Sequence, residues 1–260
     1  KKLLKKDRKK LEEQHFQKIV ERIIEAVETI RPQDNLIITV DGPVNSAKLV
    51  QQKERRFKKS HEKELKYKIF DSTVITPGTE FMMKLDQYIE EWLKSYQGYL
   101  PKRIIYSSHL DPGEGEHKIF SLIREKKIIE GPGANVIYGL DNDLIIISVV
   151  NNIPNMFMFP EDGSDILDIK KLKEMLIKEM SYEGSDDDTI IRDFCVVATL
   201  QGNDFLHKFP NVYRDTQKNF KLIFDIYSRF VKLPLTDSDN NIIWKNLFGA
   251  ISPSRSLLIL

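Results

Sequence analysis

The chain has 260 residues and a formal net charge of +1, with apolar and charged fractions near the globular average, which excludes a disordered or fibrous polypeptide. One cysteine, Cys195, excludes a disulfide framework and a cysteine-rich zinc site and points to a reducing intracellular setting. No apolar run approaches the roughly 20 residues that span a bilayer, and no apolar signal segment follows the basic N-terminus, so no membrane partner is expected.

Lys1 to Lys10 is low in complexity and reads as a basic arm, either a solvated helix or disordered. Phe16, Ile19, Val20, Ile23, Ile24, Val27 and Ile30 then recur at helical spacing, and Pro32 ends that helix. Asn35 to Val40 is apolar and β-rich, the pattern of a buried parallel strand, and it stops at Asp41-Gly42. A basic helix follows, to about His61. Thr76-Pro77 predicts an N-cap with proline in the first turn of a helix that buries Phe81, Leu85 and Ile89. Arg103 to Ser107 is a second strand, leading into Pro112-Gly-Glu-Gly-Glu116 and another helix.

Asn135 to Leu140 is a third strand, ending at Asp141-Asn142-Asp143, and Leu144 to Val150 is a fourth apolar run. Helices are predicted over Asp168–Met180 and Ile190–Leu200, the second stopping at Gly202-Asn203-Asp204. The tail from Val212 is mainly helical, with a polar turn at Thr236–Asn241, and Trp92 and Trp244 are expected in the core. Strands alternating with helices predict an α/β fold: a largely parallel central sheet flanked by helices, with a mainly helical C-terminal part. The expected organisation is a basic arm over 1–10, a core over 11–210 and a helical extension over 211–260.

Ligands of such sheets bind beyond the carboxyl ends of the strands. Asp41, Glu114, Glu116, Asp141, Asp143 and Asp204 lie at or just after the ends of apolar runs. An isolated Asp at a strand end is more often a helix cap or a turn residue; the recurrence is what points to a site. Two like charges about 4 Å apart cost on the order of 4 kcal/mol at an effective dielectric near 20. Divalent cations remove that conflict, and all-oxygen ligands favour Mg²⁺ or Mn²⁺ over zinc. Two such ions roughly 3.5–4 Å apart activate a water and steady the leaving oxygen of a phosphodiester. In Glu114-Gly115-Glu116 the glycine is expected to permit an unusual backbone that lets both carboxylates converge.

Lys48, Gln52, Arg55 and Arg56 follow Asp41 on the basic helix and fall within an arc of about 100°. Two guanidiniums, an ammonium and an amide on one face suit a terminal phosphate.

These residues resemble the Xrn-type 5′→3′ exoribonucleases. The resemblance runs through Val40-Asp41-Gly-Pro43, Ala47-Lys48 and Gln51-Gln52-Lys-Glu-Arg55-Arg56-Phe57, then Phe70-Asp71-Ser72 and Ile75-Thr-Pro-Gly-Thr-Glu-Phe81. It continues in Pro112-Gly-Glu-Gly-Glu-His-Lys118, Tyr138-Gly-Leu-Asp-Asn-Asp-Leu144 and Gly202-Asn-Asp-Phe-Leu206. The resemblance implies a PIN/flap-nuclease-like core and two metal ions on Asp41, Glu114, Glu116, Asp141, Asp143 and Asp204. It implies a pocket of Lys48, Gln52, Arg55 and Arg56 that selects the 5′-monophosphate of single-stranded RNA. Processive hydrolysis to nucleoside 5′-monophosphates would follow, in the cytoplasm or, for a viral protein, in a virion or viral factory. Nothing in Lys1–Lys10 matches the family's first acidic motif, so a core lacking its first strand is expected, as in a fragment. The competing readings are a structure-specific DNA nuclease and an inactive, structural or virion-associated relative. His117, beside Glu116, is a further candidate for ligand or substrate contact.

Overall fold

The computed structural model describes residues 5–44, 48–49, 52–54, 57, 72–125, 128, 132–139, 141–200, 202 and 224–251. The chain divides into two compact units, Lys1–Gly131 and Pro132–Leu260.

In the first unit, α1 spans Lys5–Ile30, so the helix begins within the predicted arm. It ends as Arg31 turns left-handed at φ 53° and its amide returns to the Val27 carbonyl, just before Pro32. Helix α2, Glu80–Ser95, starts later than the Thr76-Pro77 pattern predicts. The Thr79 amide bonds the Thr76 carbonyl at 3.2 Å across Pro77 and Gly78, and Gly78 has φ +82°. Proline then glycine at those positions builds a tight turn, and Thr79 becomes the N-cap, accepting from the Met82 amide. The predicted faces of α1 and α2 bury Phe16, Val20, Phe81, Leu85 and Ile89 together with Met82. Burial of each large side chain contributes roughly 1.5–3 kcal/mol. Trp92 packs against the rim of this cluster, as expected.

Strands β1, Asn35–Thr39, and β2, Arg103–Ser107, pair in parallel from Asn35↔Arg103 to Thr39↔Ser107. Every residue of β1 is half buried, because its ladder has one partner among the described residues rather than the two of a central strand. Both carboxyl ends fall on one edge, and there β2 leads through a loop into α3, Gly115–Arg124.

In the second unit, β3, Asn135–Tyr138, is parallel to β4, Met156–Phe159, which pairs antiparallel with β5, Leu167–Asp168. The apolar run after β3 is a helix, α4, Asn142–Val150. A uniformly apolar segment has no period to separate helix from strand, and here the backbone bond from Ile145 to Asp141 winds it up. That helix makes the crossover between two parallel strands. The one largely parallel central sheet is therefore corrected: the described strands form a two-stranded parallel sheet and a three-stranded mixed one. Helices α5, Ile169–Met180, and α6, Asp187–Leu200, follow, with Asp168 capping α5. Beyond them lie a π-helical turn at Tyr227–Val231, a bridge between Thr236 and Ile242 and helix α7, Trp244–Ile251. Trp244 is 58 % exposed and stacks on Phe248 one turn on, not in the core as expected. Among the described residues no helix is long and apolar enough to cross a membrane.

Candidate active site

At the shared edge of β1 and β2 the first two acidic motifs bind each other through their backbones. Gly42 donates to the Gly113 carbonyl and Gly113 to that of Pro43, both at 2.9 Å. The approach is so close that a Cβ on Gly42 would sit 1.8 Å from the Asp111 carbonyl oxygen. Asp41 Oδ1 accepts the Gly115 amide at 2.7 Å, and Thr39 Oγ1 donates to the Gly115 carbonyl at 3.0 Å. Asp41 thus caps α3 from a distant segment, where the helix dipole favours an anion. The glycine between the two glutamates is explained differently from the expectation. Gly115 opens an ordinary helix and is not among the left-handed glycines. Its role is proximity, since a Cβ would stand 3.0 Å from Thr39 Oγ1 and 3.4 Å from Asp41 Oδ1.

Glu114 occupies the N-cap position but makes no side-chain cap bond, while Asp41 takes the first amide of the helix, that of Gly115. Its Oε2 instead meets Lys48 Nζ at 3.0 Å, and the two side chains are only 14 % and 10 % exposed. Gln52 is helical and half buried on the segment that carries Lys48. Glu116 lies in the first turn of α3, 3.9 Å from the half-exposed His117.

Polar side chains outside the predicted set organise this edge. Lys118, on α3, is 9 % exposed and donates to the carbonyls of Val40 and Ser108, each at 2.7 Å. Burial presses its ammonium below the usual lysine range, against the opposing pull of the Asp111, Asp41 and Asp86 carboxylates. His109 is fully buried, and its Nδ1 accepts the Gly78 amide at 3.1 Å. That bond puts the ring proton on Nε2, which faces Asp86 Oδ2 at 3.2 Å without meeting the geometry of a hydrogen bond. Tyr106 donates its hydroxyl to the other Asp86 oxygen. Burial first, then that carboxylate, pushes the phenol far above its ordinary range. The network ties the Thr76–Thr79 turn to the loop after β2. Asp86 on the apolar face of α2, between Met82 and Ile89, is the sequence signal for it.

In the second unit, Asp141 is exposed at the start of α4 and Asp143 is half buried in its first turn, where the helix dipole favours carboxylates. Asp204, Arg55, Arg56, Asp71 and His207 lie outside the described residues. Carboxylate oxygens suit a hard divalent cation. Among the described residues no three such side chains gather to hold one. Asp41 Oδ1 and Glu114 Oε2 are turned instead to an amide and an ammonium.

Comparison with known proteins places these residues in a family. Residues 1–162 match the family model described as the XRN 5′-3′ exonuclease N-terminus. The chain is 33 % identical over 245 residues to 5′-3′ exoribonuclease 1 of Saccharomyces cerevisiae, covering 78 % of this chain and 16 % of that protein. The human 5′-3′ exoribonuclease 1 is 30 % identical over 76 % of this chain and 14 % of its own length. For 5′-3′ exoribonuclease 2 of Arabidopsis thaliana the identity is 30 %, over 80 % of this chain and 29 % of the relative. The chain therefore spans less than a third of each of these relatives, and within that span it belongs to the XRN 5′-3′ exonuclease N-terminal family.

Proposed function

We propose that the protein carrying this chain is a divalent-metal-dependent 5′→3′ exoribonuclease that degrades 5′-monophosphorylated RNA to nucleoside 5′-monophosphates. The observation that carries this reading is the Lys48–Glu114 ion pair: a cation of the expected phosphate pocket meets a glutamate of the acidic motif at 3.0 Å, shielded from water. Membership of the family supports the same direction. In this reading Lys48 and Gln52, with Arg55 and Arg56, hold the terminal phosphate by charge and hydrogen bonds. Glu114 orients the Lys48 ammonium, and α3 fixes Asp41 through the Gly115 amide. Asp41, Glu114, Glu116, Asp141, Asp143 and Asp204 are the carboxylates assigned to Mg²⁺ or Mn²⁺, two ions in all. Bound metal supplies an activated water and charge stabilisation on the leaving oxygen.

The test is to incubate the whole protein with Mg²⁺ and single-stranded RNA ending in 5′-monophosphate, 5′-triphosphate or 5′-hydroxyl, beside a 5′-monophosphorylated DNA flap. Selective loss of the monophosphorylated RNA is expected, and Asp141→Asn abolishes it. Equal decay of the three RNAs would remove the phosphate pocket. Cleavage of the flap alone would make the protein a structure-specific DNA nuclease.

A further inference from the structure

The last rung of the β1–β2 ladder is the Val40 amide on the Ser107 carbonyl, at 2.9 Å. Beyond it the carbonyls of Val40 and Ser108 are both bound by one side chain, Lys118 Nζ, at 2.7 Å each. Buried carbonyls need donors, and an ammonium bonds them more strongly than a neutral group does. Lys118 stands one helical turn from Gly115, whose amide holds Asp41 Oδ1. Val40 is the residue before Asp41, so the ammonium and the amide grip the same short stretch of chain from the same helix. The charge itself matters too, since the Asp41, Asp86 and Asp111 carboxylates all lie within its field.

We propose that Lys118 is a positioning residue of the nuclease site: its buried ammonium clamps the ends of β1 and β2, fixes the Asp41 carboxylate at the N-terminus of α3 and offsets the negative charge gathered there. Lys118 touches no substrate in this scheme and acts through Asp41. Methionine matches its length without the charge or the donors, whereas arginine keeps both. The proposal draws on the nuclease reading only for its kinetic consequence.

The test uses Lys118→Met and Lys118→Arg in the whole protein, with peptide-resolved hydrogen exchange and steady-state kinetics on 5′-monophosphorylated RNA. In Lys118→Met, exchange around residues 41–43 and 113–117 rises about tenfold while α1 and α2 keep their protection. The same variant loses roughly tenfold in kcat with KM unchanged, and Lys118→Arg recovers part of both effects. Unchanged exchange at 41–43, or protection lost throughout α1 and α2, would overturn the clamp. A loss confined to KM would overturn the positioning role. If the unsubstituted protein degrades no RNA, the nuclease reading falls and the exchange measurement alone decides the clamp.

Discussion

At Gly42 there is no room for a methyl group. The Asp111 carbonyl oxygen and carbon would lie 1.8 and 2.8 Å from it, and both are backbone atoms that no rotamer change can move. Gly42→Ala must therefore break the reciprocal bonds between Gly42, Gly113 and Pro43, and we expect a loss of about 3 kcal/mol or more in urea unfolding. A variant within about 0.5 kcal/mol of the parent would show that these loops can part freely. Gly115 poses a softer conflict, since its nearest neighbour at 3.0 Å is the Thr39 hydroxyl. Gly115→Ala should cost about 1 kcal/mol in stability, yet it displaces the groups that hold Asp41. Its expected signature is a fall in RNA turnover out of proportion to its unfolding midpoint. The Glu-Gly-Glu spacing was visible in the sequence, but the reason for the glycine was not. It depends on Thr39 and Asp41, more than seventy residues away in the chain.

Among the elements, α6 shows how one buried carboxylate fixes a whole segment. Asp193 is fully buried and accepts from the Tyr227 hydroxyl at 2.5 Å, the Leu235 amide at 2.8 Å and the Thr236 hydroxyl at 2.6 Å. Asp193→Ala would leave three buried donors unsatisfied, a cost of about 3–5 kcal/mol. Urea unfolding followed by hydrogen exchange should show protection lost in the second unit, with the α1–α2 core of the first kept. Equal loss in both units would contradict a role confined to the C-terminal segment. Periodic helices such as α1, α2 and α5, and the β1 and β2 runs ending in turn residues, were legible because each has a local period and a local stop. Helix α4 was not, for lack of a period, and β4 depends on its pairing with β3. The strand-end placing of Asp41, Glu114 and Glu116 followed from the parallel pairing. The Asp86–His109–Tyr106 network and the contacts of Lys118 join distant segments through buried polar groups; Asp86 on an apolar helix face hints at the first, but its partners and those of Lys118 follow no local pattern.

Across the whole molecule, the same burial sets a limit at high pH. Tyr106 in the first unit and Tyr227 in the second are held far above the ordinary phenol range, by burial first and then by the carboxylates of Asp86 and Asp193. Burial, with Asp193 adding to it, pushes the Cys195 thiol from 9.0 up to about 11. A raised pKa means that the folded state keeps its proton where the unfolded chain has lost it. Stability is then fully present below the unfolded value and falls as pH rises toward the folded one. For Cys195 the window is pH 9 to 11, and its contribution to the loss is on the order of 2 kcal/mol. The phenols add to the decline above about pH 10. Lys118 and Lys173, pressed downward by burial, act in the opposite sense. Tyr182, raised by burial, and Lys84, raised by Glu80 and Glu12, join the thiol and the two phenols, so the raised groups outnumber these two lysines and the net slope is expected to be downward. Urea midpoints should hold steady up to about pH 8.5 and drop by pH 10.5. Cys195→Ala, measured across the same series, should reduce the slope between pH 9 and 11, because it removes a titrating group without touching either phenol. A midpoint that does not move over this range, or a slope untouched by Cys195→Ala, would mean that these groups reach water in the folded protein.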